Sequence, residues 1–139
     1  MRVLVDSSAV AALILRNDRH HKDAVEALRL FTEKGAELVL TNFIVAESYN
    51  LLASRAYPGK AREWLLANTW PVERVSEDDE KEARRILEKY ADKDFSYTDA
   101  TSFALMARLS FDLAFTFDRH FAQYGLHTQE KLLAQEENS

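Results

Sequence analysis

Short apolar runs alternate along the chain with stretches whose apolar residues recur at helical spacing. Residues 3–5 form a β-branched and leucine run that is typical of a strand buried on both faces. Residues 76–90 open with a serine and four acids and then place Ala83, Ile86 and Leu87 on one helical face. The predicted strands are 3–5, 37–41, 71–75 and 113–117. The predicted helices run from a serine cap at 7 or 8 to residue 15 and over 23–34, 42–55, 60–68, 76–90 and 96–109, with a short helical turn at 118–124.

This order of elements predicts an α/β fold. Strands that alternate with helices indicate a parallel sheet covered on both faces, with the carboxyl ends of the strands along one rim. Open α/β sheets bind their ligands at that rim. A chain of 139 residues is expected to form a single domain, 1–139, with a loosely ordered tail over about 129–139.

The charge balance limits how this chain can bind nucleic acid. It has 18 lysines and arginines against 23 acids, a net charge of -5. No global basic field therefore attracts a polyanion. A nucleic-acid substrate would need local positive charge or a metal ion.

Residue usage excludes several catalytic classes. The absence of cysteine excludes a thiol nucleophile and a thiolate zinc site. Gly35, Gly59 and Gly125 lie too far apart for a dinucleotide-binding loop, and Lys60 is followed by Ala61, which is unlike a P-loop.

The apolar runs are too short for a membrane segment. The N-terminal sequence reaches Asp6 before a signal-peptide core forms, and the longest apolar run, 9–15, falls far below the roughly 20 residues of a membrane helix. We therefore expect a soluble protein, compatible with a reducing cytoplasm.

Four acids stand apart from the mixed-charge helix surfaces that contain most of the others. Asp6, Glu47 and Asp99 are each the only charged residue in an otherwise apolar or uncharged stretch, and Asp118 follows the apolar strand 113–117. Asp6 and Asp118 end predicted parallel strands, and Asp99 begins a helix on the same rim. Glu47 then needs only to project from the third helix toward them.

Each acid also has a purely structural interpretation. Asp6 suits a helix N-cap, Asp99 suits the third position of a capping box begun by Ser96, and Asp118 suits the start of a helical turn. Glu47 could face solvent, although it shares a helix face with Ile44 and Leu51, three residues before and four after it.

Joint placement of the four acids favours a metal site. Two carboxylates about 4 Å apart repel by roughly 4 kcal/mol at an effective dielectric of 20, so an uncompensated cluster would protonate or unfold. Oxygen ligands suit Mg²⁺ or Mn²⁺, whereas zinc recruits histidine or cysteine. The four histidines show no ligand spacing; they are His20, His21, His120 and His127. A site of this kind suits phosphodiester hydrolysis.

At these acids the sequence resembles the PIN-domain ribonucleases, and most closely the toxin half of VapBC-type toxin–antitoxin pairs. The resemblance is carried by four motifs: LVDSSA at 4–9, TNFIVAES at 41–48, FSYTDATSFALM at 95–106 and AFTFDRHF at 114–121. Each motif is weak alone, but their order and spacing together make a specific match over nearly the whole chain.

The resemblance implies a three-layer α/β/α fold with a central parallel sheet of about four to five strands. It further implies that Asp6, Glu47, Asp99 and Asp118 form the acidic quartet of a Mg²⁺- or Mn²⁺-dependent endoribonuclease. Water would cleave the phosphodiester and leave a 5′-phosphate. The resemblance also implies a homodimer, an RNA substrate and inhibition by a separately encoded antitoxin.

Several alternatives stay open at this point. Asp94 could complete the site in place of Asp118, and Arg119 could either clamp a phosphate or remain solvated. Hydroxyl side chains near the acids could donate to them or serve only as caps and strand hydroxyls; they are Ser7, Ser8 and Thr116. A catalytically inactive PIN-like module that binds RNA or protein is the alternative function.

Overall fold

A four-stranded parallel sheet forms the centre of the computed structural model, which describes residues 1–138. The strand order is β3-β2-β1-β4, and every pairing is parallel. The strands are β1 (Arg2–Val5), β2 (Glu37–Thr41), β3 (Val72–Glu73) and β4 (Leu113–Phe115). The predicted α/β class and parallel sheet are therefore confirmed, although β3 and β4 are shorter than the sequence pattern predicted.

Eight helices accompany the sheet within the described residues. They are α1 (Ser7–Ile14), α2 (His21–Glu33), α3 (Asn42–Arg55), α4 (Pro58–Ala67), α5 (Glu77–Lys89), α6 (Tyr97–Arg108), α7 (His120–Tyr124) and α8 (Gln129–Glu137). None of these helices has the length and apolar character needed to cross a lipid bilayer.

Helices cover both faces of the sheet at its centre. Val3, Leu4 and Val5 point alternately to opposite faces of β1, and all three are completely buried. This burial explains why the run lacks polar alternation, and it matches the three-layer α/β/α arrangement expected from the motifs.

The C-terminal segment differs from the sequence-based expectation of a loosely ordered tail. Residues 129–137 form α8, whose Thr128 side chain caps the helix at the Glu130 amide. Gln129 and Leu132 are buried against the rest of the protein. Burial of these two side chains anchors the helix; Ser139 lies outside the described residues.

The order of the strands places the carboxyl ends of β1 and β4 side by side. From β1 the chain adds β2 and then β3 on one side of the sheet, and it later adds β4 on the other side of β1. The direction in which strands are added therefore reverses between β1 and β4. Such a reversal leaves a crevice at the carboxyl ends of the two strands. The Asp6 amide donates to the Phe115 carbonyl at 2.9 Å and so extends the β1–β4 pairing to that rim.

A buried carboxylate fixes α5 against α6. Asp79 is 2 % exposed and accepts two hydrogen bonds from the Arg108 guanidinium, each 2.8 Å long. It also accepts from the Ser76 amide at 2.9 Å, within a capping box. Burial acts to raise the pKa of Asp79, but Arg108 and Ser76 outweigh it and hold the pKa below its ordinary value. The pair thereby anchors α6, the helix that begins beside Asp99.

Asp79→Asn is expected to lower the free energy of unfolding by about 2 kcal/mol at neutral pH, because the substitution removes the charge that Arg108 pairs with. Since the folded pKa is depressed, this stabilisation is complete above the ordinary aspartate pKa and is lost as pH falls through the folded pKa. Urea unfolding at several pH values measures the difference. Asp78→Asn, an exposed neighbour in the same turn, is the control and should change little.

Candidate active site

The structure brings the four acids toward the rim where β1 and β4 end. Asp6 directly follows β1, and Asp118 follows β4 after two residues. Asp99 lies in the first turn of α6, and Glu47 lies within α3. Asp6 is close enough to Asp99 and to Glu47 for the negative charge of each to raise its pKa.

Two hydroxyl groups hold the Asp6 carboxylate. Asp6 Oδ2 accepts from Ser8 Oγ at 2.8 Å and from Thr116 Oγ1 at 3.0 Å. Asp6 occupies the N-cap position of α1, but its side chain makes no capping hydrogen bond. The carboxylate therefore accepts from hydroxyl groups rather than from the first backbone amides of α1, and its capping interpretation does not hold.

The environment of Asp6 disfavours its charged form. Burial, together with the charges of Asp99 and Glu47, raises the pKa of Asp6 to about 7 against the opposing hydrogen bonds from Ser8 and Thr116. The side chain is only 3 % exposed. A carboxyl group so crowded is stabilised in its charged form by a cation placed among its neighbours.

His120 joins two of the acids. Its Nδ1 lies 2.8 Å from Asp99 Oδ2 and 3.2 Å from Asp118 Oδ1. One ligand atom from each of these three residues lies within 4.8 Å of the other two, so they form a group that could hold a metal ion. Phe95 packs edge-to-face against the imidazole at 5.6 Å and limits its movement.

Asp99 serves as a helix cap and as a member of the site at once. Its Oδ2 accepts from the Ser96 amide at 3.0 Å, and Ser96 Oγ accepts from the Asp99 amide at 3.0 Å, which completes a capping box. The same Oδ2 faces His120. The capping interaction thus fixes the direction of the Asp99 carboxylate and is compatible with its position in the site.

Ser7 orients Glu47. The Ser7 hydroxyl donates a hydrogen bond to Glu47 Oε1 across the α1–α3 contact. Glu47 is only partly buried, as expected for a carboxylate shared between an apolar helix face and an open cleft.

Thr116 connects the strand end to both Asp6 and Asp118. Its hydroxyl donates to Asp6 and accepts from the Asp118 amide at 3.0 Å. The Gln129 side chain binds the Thr116 backbone twice, accepting from its amide at 3.0 Å and donating to its carbonyl at 2.7 Å. The first residue of α8 therefore fixes the strand end from which the acids are positioned.

Sequence reasoning missed His120 and Gln129 as parts of this arrangement. His120 has no metal-ligand spacing to another histidine, and the signal that could have found it is its position two residues after Asp118. Asp94, the alternative to Asp118, is exposed and lies outside the acid–histidine group found among residues 1–138. Hydroxyls that sequence reasoning left undecided do donate to the acids: Ser7, Ser8 and Thr116.

Comparison with known proteins agrees with the fold and the acidic rim. The family model of the PIN domain matches residues 3–126. The 23S rRNA-specific endonuclease VapC20 of Mycobacterium tuberculosis is 31 % identical over 126 residues, which span 88 % of this chain and 94 % of that protein.

Solved structures give the same result. The crystal structure of Mycobacterium tuberculosis VapC20, a sarcin–ricin loop cleaving toxin, matches with a TM-score of 0.80 at 30 % identity and covers 90 % of this chain and 96 % of that one. A chain of a toxin–antitoxin complex from Klebsiella pneumoniae matches at 15 % identity with a TM-score of 0.58, covering 84 % and 87 % of the two chains, and this more distant match shows the fold alone.

An α/β fold with acids gathered at its β1–β4 crevice defines the class. The chain belongs to the PIN domain family. Within that family it is similar to VapC20 along nearly its whole length.

Proposed function

We propose that this protein is a metal-dependent endoribonuclease and the toxin component of a type II toxin–antitoxin system. The observation that carries the proposal is the crowding of Asp6, which is buried among acids and held by two hydroxyl donors. Similarity to the VapC20 endonuclease over 88 % of the chain supports the same activity. Since all four acids are intact, nothing in the described residues favours the catalytically inactive alternative.

Carboxylate oxygens make this a fitting site for Mg²⁺ or Mn²⁺. In the proposal Asp6, Asp99 and Asp118 hold the cation directly or through water, and Glu47 positions a further water or a second ion. When bound, the cation lowers the pKa of a water molecule and neutralises charge on the phosphate. His120 orients the Asp99 and Asp118 oxygens.

The surrounding residues fix the acids before RNA arrives. Ser8 and Thr116 keep Asp6 Oδ2 in one direction, and the Ser7 hydroxyl holds Glu47. Preorganised groups of this kind avoid reorganisation during the reaction. A binding module would gain little from holding mutually repelling acids so firmly.

The RNA loop cut by VapC20 is the substrate we propose to try first. VapC20 is described as specific for 23S rRNA and as cleaving the sarcin–ricin loop. At about 30 % identity we extend to this chain the substrate class, a structured RNA with an accessible loop. The same proposal includes three further properties of this protein: inhibition by an antitoxin partner, a homodimeric state and a cytoplasmic location.

The test incubates the wild-type protein with RNA that contains this stem-loop. We expect one discrete cut in Mg²⁺ or Mn²⁺, no cut in EDTA, and restored cleavage when excess Mn²⁺ is added. An RNA of equal composition with a scrambled loop is the control for substrate choice. Cleavage that is insensitive to EDTA would contradict the metal role, and intact RNA in both metals would contradict the nuclease.

A further inference from the structure

A pocket lined by charged, aromatic and aliphatic side chains opens beside the acids. Its volume is about 440 Å³. Ser8, which donates to Asp6, lines its wall, so the pocket begins one hydrogen bond away from the buried carboxylate. The other lining residues are Asp18, Arg19, His20, Leu51, Arg55 and Phe117.

Two arginines place positive charge in this pocket. Arg55, near the end of α3, is exposed and donates to Asp18 at 2.8 Å. Arg19 is exposed and forms no ion pair within residues 1–138; its Nε instead donates to His20 Nε2 at 3.1 Å. Asp18 offsets the charge of Arg55, so in a protein of net charge -5 it is Arg19 that gives this pocket its net positive charge next to the acidic cluster.

An aromatic pair forms the wall of the pocket. His20 stacks on Phe117 with ring centroids 4.6 Å apart and ring planes 9° apart. The same two rings also line a neighbouring pocket of about 330 Å³ that contains Thr116, Asp118 and Arg119. The stack therefore stands between the arginine pocket and the Asp118 side of the acidic site.

Hydrogen bonds fix the pocket in this shape. Asp18 Oδ1 accepts from the His20 amide at 2.8 Å while its Oδ2 holds Arg55. The Phe117 amide donates to Ser8 Oγ at 2.9 Å. Positive charge, flat aromatic surface and a preformed cavity together match the way proteins bind single-stranded nucleic acid.

We propose that this pocket binds a single-stranded RNA nucleotide adjacent to the phosphodiester that is cut. Arg19 and Arg55 contact its phosphates, and its base packs against the His20–Phe117 stack. The proposal rests on the proposed function, because the scissile phosphate is taken to lie at the acids. In this proposal the residues that bind the RNA lie outside the acidic quartet, and they hold a polyanion next to carboxylates that would otherwise repel it.

Binding in EDTA tests the pocket without cleavage. The probe is a fluorescein-labelled single-stranded RNA, and its anisotropy is measured against protein at several salt concentrations. Arg19→Gln and Arg55→Gln should each weaken binding about tenfold and lower the slope of log affinity against log salt by about 0.7, the value for one lost phosphate contact on a single strand. Arg85→Gln, an exposed arginine on α5 that lines none of the pockets described above, is the matched control and should bind as wild type does.

The aromatic wall has its own test. His20→Ala should weaken binding about tenfold without changing the salt slope, since stacking is lost while both arginines that contact the phosphates remain. His20→Phe should restore affinity because it keeps a flat ring against Phe117. If His20 only maintained the shape of the pocket, its loss would disturb the arginines as well, and His20→Ala would lower both the affinity and the salt slope.

The outcomes separate this proposal from the proposed function. Wild-type affinity and slope in both arginine variants would overturn the pocket, even where the wild-type protein cleaves RNA in Mn²⁺. The expected losses in a protein that never cleaves RNA would uphold the pocket and reject the nuclease. Arg19→Gln guards against misfolding as an explanation, because Arg19 is exposed and forms no ion pair among the described residues.

Discussion

Asp6→Asn is expected to reduce RNA cleavage on the order of 10³-fold, the range seen when one group that stabilises developing charge is removed. Asparagine keeps the volume of the side chain and an oxygen that can accept from Ser8 and Thr116. It removes the negative charge that the proposed cation needs. The measurement is the single-turnover rate of cleavage of the stem-loop RNA in saturating Mn²⁺.

Asp94→Asn is the matched control for this loss. Asp94 is exposed and lies just before α6, the helix whose first turn contains Asp99, so it tests whether any acid near in sequence matters. Its cleavage rate should equal that of the wild type, which would also decide between Asp118 and Asp94 as the remaining ligand. Asp6→Asn that cleaves at the wild-type rate would remove Asp6 from the proposed site.

The same Asp6→Asn substitution should stabilise the metal-free protein at high pH by about 4 kcal/mol, or about 10 °C in thermal midpoint. The pKa of Asp6 is raised to about 7 in the folded state, whereas the unfolded carboxyl keeps its ordinary pKa near 3.9. Below the ordinary pKa the carboxyl is protonated in both states and costs nothing. As pH rises from about 4 to 7 the unfolded state loses its proton first, so wild-type stability falls, and above 7 the full penalty applies.

Thermal unfolding in EDTA from pH 4 to pH 8 measures this effect. The difference in midpoint between Asp6→Asn and wild type should widen with pH and level off above 7. Asp94→Asn should show no such widening, because its carboxyl is exposed. A midpoint difference that is independent of pH would mean that the surroundings of Asp6 do not raise the pKa of its carboxyl group to about 7.

Together the two predictions describe a residue kept for chemistry at the expense of stability. Sites that crowd like charges commonly destabilise the folded state, and neutralising one charge relieves it. Loss of cleavage with a gain in stability would distinguish this case from a substitution that merely disrupts the fold.

Local signals predicted the elements near the site well. The helix 42–55 matches α3, and the capping boxes at Ser76 and Ser96 both form as their sequence spacing indicates. These features depend on residues at most a few positions apart. Because β1 and β4 are apolar runs that end at acids, the rim could also be anticipated from the alternation of strands and helices.

Long-range contacts could not be predicted in the same way. His120 joins Asp99 across 21 residues of sequence, and its contact depends on how α6 and the segment after β4 meet. The tail beyond residue 128 has a weak apolar pattern, yet Gln129 is buried because its amide satisfies two backbone groups of Thr116. Here one polar side chain makes the backbone hydrogen bonds that a neighbouring strand would otherwise make, and a single residue of this kind produces no hydrophobic periodicity in the sequence.

The attachment of Gln129 to Thr116 has a consequence for how short an active version of this protein can be made. The family match ends at residue 126, before α8 begins, so a fragment trimmed to that boundary would lack the amide that closes the backbone of the strand end. The family match and the segment that fixes the strand end at the site therefore have different boundaries, and α8 lies within the second but not the first.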